Sequence, residues 1–174
     1  MKTRSALVTT TLLCLAIALP GSNALAQQKQ QVSFKSPAEN SKYVQQLNVD
    51  VGDAPNHILR IFEIHYTYPN NAPVINGLKL VEAWTRGTAD YIDGNGPDPL
   101  YIVYVMENGD KFFARTDGVV QNASGKRTAT QVGHITGGTG KFAAIQGIVR
   151  LVAIIDPQAG FNESQTDIEY SLGK

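Results

Sequence analysis

The sequence predicts an all-β protein, a single closed antiparallel β-barrel of about eight strands. Three observations predict it. Segments rich in branched and aromatic residues recur from His57 to Leu172, separated by glycine, proline and asparagine. Helical periodicity is nowhere sustained. The segment at His57 is apolar on both faces, with Leu59 and Ile61 sharing one with Glu63 and His65, and Ile58, Phe62 and Ile64 sharing the other with Arg60. A closed barrel needs a filled interior, and its exterior can be covered by a terminal segment or another subunit.

Residues 1–26 read as an export signal, with charge from Lys2 and Arg4, an apolar stretch from Leu7 to Leu19, and a small-x-small cleavage site at Ala24-Leu25-Ala26. The expected location is therefore secreted or periplasmic. The apolar stretch is too short to span a bilayer, and no second one is long enough, so no membrane association is expected once the signal is removed. Cys14, the only cysteine of the 174 residues, leaves with the signal. The remaining chain then has no disulfide, no thiol nucleophile and no thiolate metal site. Without Lys2 and Arg4, 13 basic residues face 15 acidic ones, a formal charge of −2 that gives no reason to expect nucleic acid. Residues 27–56 are polar and read as an N-terminal arm that docks as a strand around Leu47 to Val51, leaving residues 57–174 as the barrel domain.

Within the barrel the expected strands are His57 to Thr67, Leu78 to Tyr91, Tyr101 to Glu107, Lys111 to Gly118, Thr128 to Thr136, Ile148 to Ile155 and Thr166 to Leu172. Asn108-Gly109 suits a two-residue hairpin loop, which pairs Tyr101 to Glu107 with Lys111 to Gly118. The loop D-G-N-G-P-D-P, from Asp93 to Pro99, is too rich in glycine and proline for regular structure and reads as part of a rim. Its acids lack calcium-loop spacing. G-G-T-G-K-F at Gly137 to Phe142 lacks the hydroxyl of a phosphate loop, because Phe142 stands in its place, and the β-branched run after it is a strand.

G-G-T-G-K-F followed by A-A-I-Q-G-I-V-R-L, I-F-E-I-H at Ile61 to His65, and Gly109-Asp110 together resemble the allene oxide cyclase and dirigent-protein barrel superfamily. The resemblance covers His57 to the C-terminus. It implies an eight-stranded barrel whose lumen binds a hydrophobic small molecule, often in a homodimer or homotrimer. It also matches Glu63 to the cyclase glutamate and Tyr104 to a tyrosine lining the cyclase cavity. His65 stands where the cyclases have Asn, and their cysteine has no counterpart, so allene oxide is not the implied substrate.

Glu63 and His65 leave one strand face about 7 Å apart. In a lumen they would form a proton-moving pair; periodicity alone leaves open whether that face points inward or to solvent, and the glutamate match favours inward. The candidate catalytic residues are thus Glu63, His65 and Tyr104. Ile61, Trp84, Arg86 and Arg115 are candidate ligand contacts, although an outward, salt-bridged face remains open for Trp84, Arg86 and Arg115. No cofactor is expected. The three histidines have no metal-type spacing, so no metal is expected. Two functions remain: an isomerase or cyclase that directs ring closure of a reactive intermediate, and a non-catalytic carrier for an apolar ligand.

Overall fold

The computed structural model describes residues 28–156, 159 and 161–173, so the expected signal segment lies outside the described residues. In chain order the strands are β1 Gln30–Ser36, β2 Ser41–Asp50, β3 His57–Thr67, β4 Val74–Ile75, β5 Leu78–Ile92, β6 Gly96–Pro97, β7 Leu100–Met106, β8 Lys111–Ala123, β9 Lys126–Gly138, β10 Ile145–Asp156 and β11 Phe161–Leu172. They form one antiparallel sheet with the path β1-β11-β10-β9-β8-β7-β5-β3-β2, while β4 pairs with β5 and β6 with β8. The segment read as a polar arm therefore supplies two strands rather than one. Phe34 anchors the first of them, buried edge-on against Tyr68 at 5.8 Å.

Alternation sets which side chains enter the core. On β3 Phe62, Ile64 and Tyr66 point inward, because three large apolar groups on one face remove more surface from water than Leu59 and Ile61 would on the other. On β5 the inward set changes parity, from Leu78 and Leu80 to Ala83, Thr85, Gly87, Ala89 and Tyr91, across a bulge between Leu80 and Glu82. The small residues make room for the β3 rings. A Cβ on Gly87 would stand 2.5 Å from Phe62 Cζ and 2.7 Å from Leu100 Cδ2.

β7 and β8 pair as the sequence predicts, with Tyr104 opposite Phe112. Their loop is one residue longer than expected. Gly109 N–H donates to Met106 O at 2.8 Å and Met106 N–H to Asp110 O at 2.8 Å, and only Gly109 of the loop has a left-handed φ, 86°. This is a three-residue loop with glycine in the left-handed position, which lets Asn108 keep an ordinary φ.

The glycine corner plugs one end of the sheet. Lys141 N–H donates to Asp110 Oδ2 at 3.0 Å and Thr139 N–H to Lys111 O at 2.8 Å, which turns Phe142 inward to complete burial. There it meets Phe112 at 5.5 Å, and Phe112 stacks on Tyr104 at 4.4 Å. Gly140, at φ 53°, lies so close to Asp110 that a side chain would overlap its carboxylate.

The sheet curls, but hydrogen bonds do not close it. β1 and β2 end its path and share no ladder, although only residues 37–40 separate them in the chain, a reach of at most about 18 Å. Side chains bridge the gap. Ser41 Oγ donates to Asn162 O at 2.8 Å and Asn162 Nδ2 to Tyr43 Oη at 3.4 Å.

If Phe142 is the plug, Phe142→Ala should cost about 3–5 kcal/mol in urea denaturation. Val74→Ala, at an exposed site, should stay within about 0.5 kcal/mol.

Candidate functional site

Because Phe62, Ile64 and Tyr66 take the inside, the face carrying Glu63 and His65 points outward, not into the lumen as the sequence reading favoured. Across the β3–β5 register Glu63 meets Arg86, whose Nε lies 2.6 Å from Glu63 Oε2, and His65 meets Trp84, stacked at 4.0 Å. His65 Nε2 bonds Glu82 Oε2 at 2.8 Å, and the Arg86 guanidinium lies 5.7 Å from the Trp84 ring. Ile61 is 60 % exposed on the same outer wall. Arg115 is also outside, 5.5 Å from the Tyr101 ring. Tyr104 alone of the candidate set points inward, and it is packed 2 % exposed beside the Phe142 plug, where burial pushes its phenol well above the usual range. The seven residues do not share a cavity.

The opening lies at the opposite end of the sheet. A vestibule of about 570 Å³, lined among others by Tyr43, Ile58, Arg60, Tyr91, Arg127 and Phe161, leads into an inner chamber of about 40 Å³. Tyr66, Asp98, Leu100, Val120 and Asn162 line the chamber, and Tyr43, Arg60, Tyr91, Arg127 and Ile155 belong to both spaces. The chamber holds two or three waters, or the tip of a larger molecule.

Asp98 is delivered by the loop expected to be a rim. Gly96 lies where a side chain would overlap Asp90 O, so the chain can turn back under β5, and Pro97 and Pro99 fix the backbone on either side of the acid. Asp98 N–H donates to Gly118 O at 3.0 Å, and Gln131 Nε2 donates to Asp98 O at 2.6 Å. Its side chain is left 4 % exposed among aromatic rings. Burial pushes the carboxyl up to about 6, against the downward pull of the Tyr91 hydroxyl and the Arg60 guanidinium.

The two arginines frame the chamber. Arg60 lies 5.2 Å from the Tyr43 ring and 5.4 Å from the Phe62 ring, and donates to Gln46 Oε1; Arg127 lies 5.9 Å from the Tyr91 ring. Among the described residues neither guanidinium has a carboxylate within 4.0 Å. Three buried side-chain polar atoms lack a hydrogen-bond partner among the described residues: Arg60 Nε, Asp98 Oδ1 and Asn162 Oδ1. All three residues line the inner chamber. Unpaired buried polar atoms are costly, so their convergence in one chamber marks a place where a ligand or water completes the structure.

Asp98 was readable and missed. It stands two residues before Leu100, Ile102 and Tyr104 follow on the inward face, just as Arg60 precedes Phe62 and Ile64. Alternation within β3 puts Arg60 on the face of Phe62 and Ile64, and alternation extended one step before β7 would have placed Asp98 inside.

No protein-family model matches the chain, and no curated protein matches it. Among solved structures it is similar to two pterocarpan synthase dirigent proteins. One is 14 % identical, with a TM-score of 0.54 over 84 % of this chain and 97 % of that one. The other is 15 % identical, with a TM-score of 0.51 over 95 % and 100 %. A pyocyanin demethylase, 16 % identical over 79 % and 99 %, reaches a TM-score of only 0.42, and nothing is drawn from it. The chain thus has an all-β, antiparallel, dirigent-like fold, as the glycine corner led the sequence reading to expect.

The Asp98 carboxyl is harder to ionise folded than unfolded. Its contribution to stability is complete below about pH 4 and is lost as the pH rises through about 6. Asp98→Asn removes that dependence. Urea denaturation should show the variant gaining on the parent by about 2 kcal/mol between pH 4 and pH 7.5.

Proposed function

We propose that this protein is exported, that it binds a hydrophobic small molecule through the vestibule and inner chamber, and that it directs ring closure of that molecule. Convergence of the unpaired Arg60, Asp98 and Asn162 atoms in one aromatic-walled chamber carries the reading. The vestibule lies within the size range of small-molecule sites. The fold likeness raises the prior on a ligand cavity and leaves the chemistry to the site.

Protonated Asp98 donates its proton to the oxygen of a conjugated carbonyl on the ligand. A hydroxyl of the same molecule adds to the conjugated carbon, forming the ring C–O bond, and its proton returns to the Asp98 carboxylate. The reaction is an isomerisation and consumes no cofactor. A carboxyl poised near neutral pH suits both halves of the exchange. The aromatic walls hold one folded conformer, which supplies much of the rate.

One observation favours the carrier instead. Glu63 is already neutralised by Arg86 at 2.6 Å and lies outside the lumen, so the acid–imidazole pair expected from the sequence is not available to catalysis there. Asp98 is then the acid on which the enzymatic reading rests.

Native mass spectrometry of protein purified without denaturant should detect one small molecule per chain. With that molecule or its open-chain precursor as substrate, Asp98→Asn should slow ring closure by about a hundredfold or more while binding persists. An unchanged rate would remove the acid role, and a ligand returned unaltered would leave the carrier.

A further inference from the structure

Two half-buried cations facing one opening without a carboxylate partner are unusual, because a guanidinium withdrawn from water ordinarily finds an anion. Both here instead lie near aromatic rings, and Arg60 Nε is a buried donor with nothing to bond. Asp98 and Asp156 line the same spaces, yet among the described residues neither makes an ion pair with either arginine within 4.0 Å. At the rim His57 bridges Asp53 and Asp90, and Asp93 accepts from Asn56 Nδ2 at 2.9 Å. Those acids bond His57 and Asn56 rather than the arginines.

We propose that the vestibule selects organic anions: planar apolar molecules bearing one carboxylate or sulfonate, with the anion held between Arg60 and Arg127 and the ring body against Tyr43, Tyr91 and Phe161. This rests on the vestibule being the ligand site and adds the charge its ligand must carry. A guanidinium presents paired donors that match a carboxylate or sulfonate edge, and the aromatic walls suit a flat body. A ligand of the same shape with no acceptor at that place would leave Arg60 Nε unbonded.

Asp98 tunes the preference. The groups around it are Tyr43 from β2, Arg60 and Tyr66 from β3, Tyr91 from β5, Gln131 and Arg127 from β9 and Asn162 from β11. Burial raises the Tyr43, Tyr66 and Tyr91 phenols further above neutral, whereas the Asp98 carboxyl, pushed up to about 6, ionises between pH 5 and pH 7 and then offsets one of the two cations. Anion binding is therefore strongest while Asp98 is protonated.

Two fluorescent probes sharing one body test this. 1-Anilinonaphthalene-8-sulfonate carries a sulfonate that stays ionised at every pH used, and N-phenyl-1-naphthylamine lacks it. The sulfonate should bind one per chain and at least about tenfold more tightly than the neutral probe at pH 5. Arg60→Gln and Arg127→Gln should each weaken it by roughly ten- to a hundredfold, while Arg150→Gln, on the outer wall, should not. Affinity of the parent should fall several-fold from pH 5 to pH 7 and that of Asp98→Asn should stay level. Melting temperatures recorded alongside separate lost binding from lost folding. Equal binding of the two probes, abolished by the vestibule-filling Ile155→Trp, overturns anion selection and leaves the ligand site standing. Failure of both probes to bind, or binding that Ile155→Trp does not disturb, overturns the ligand site itself.

Discussion

The open end of this protein depends on which way Phe62, Ile64 and Tyr66 point. A strand has two faces and a period of two, so once these side chains fill the interior, every other residue of β3 is assigned. Arg60 goes inward beneath the vestibule, while Glu63 and His65 go outward to Arg86 and Glu82. Gly87 then becomes necessary, since only a residue without a Cβ leaves space for the Phe62 ring. A slip of one residue would put the Glu63 carboxylate in the core and Phe62 in water, at a cost no neighbouring contact offsets.

The two ends of the sheet divide stability from function. At one, Phe142, Phe112 and Tyr104 are packed ring against ring. At the other, an acid, two arginines and an asparagine are held among tyrosines with bonds unmade. Folding bears that cost because the rest of the core, from Ile75 and Leu80 to Val149 and Ile168, is apolar and buried. Asp98 is held by its backbone, through Gly118 and Gln131, and its Oδ1 has no hydrogen-bond partner among the described residues.

Much of the fold was legible. Branched and aromatic residues marked β3, β5 and β7 to β11, though not the two-residue β4 and β6, and Gly137 to Phe142 marked the corner and the superfamily likeness, because turns and alternation are local properties. β1 was less legible. Its polar residues alternate around Phe34 and Ser36, which are buried only because β11 lies beside them. The site was misjudged for a related reason. Glu63 and His65 drew attention as chemical groups, while the direction of their face was fixed by the combined bulk of their neighbours. Asp98 was hidden in a loop whose composition signals exposure, and only its place in register with Leu100 and Ile102 reveals that it faces inward. That Arg60 and Arg127 have no carboxylate partner among the described residues is a property of three-dimensional placement and leaves no trace in the sequence.

The gap between β1 and β2 gives this pocket unequal walls. β1 stops at Ser36, opposite Ser164, so Phe161, Asn162 and Glu163 at the start of β11 have no β1 partner. Across from them stands Tyr43, tied to Asn162 by a single side-chain bond of 3.4 Å. Elsewhere around the pocket β2 with β3, β3 with β5, β8 with β9, β9 with β10 and β10 with β11 are joined by backbone ladders, whose strands keep their spacing. A guest can therefore spread that one side without breaking a ladder, while the packed side chains around the inner chamber, Ile64, Tyr66 and Leu100 among them, set how far in it can go. The site is strict in depth and tolerant in girth, so it admits molecules that differ in breadth more readily than molecules that differ in length.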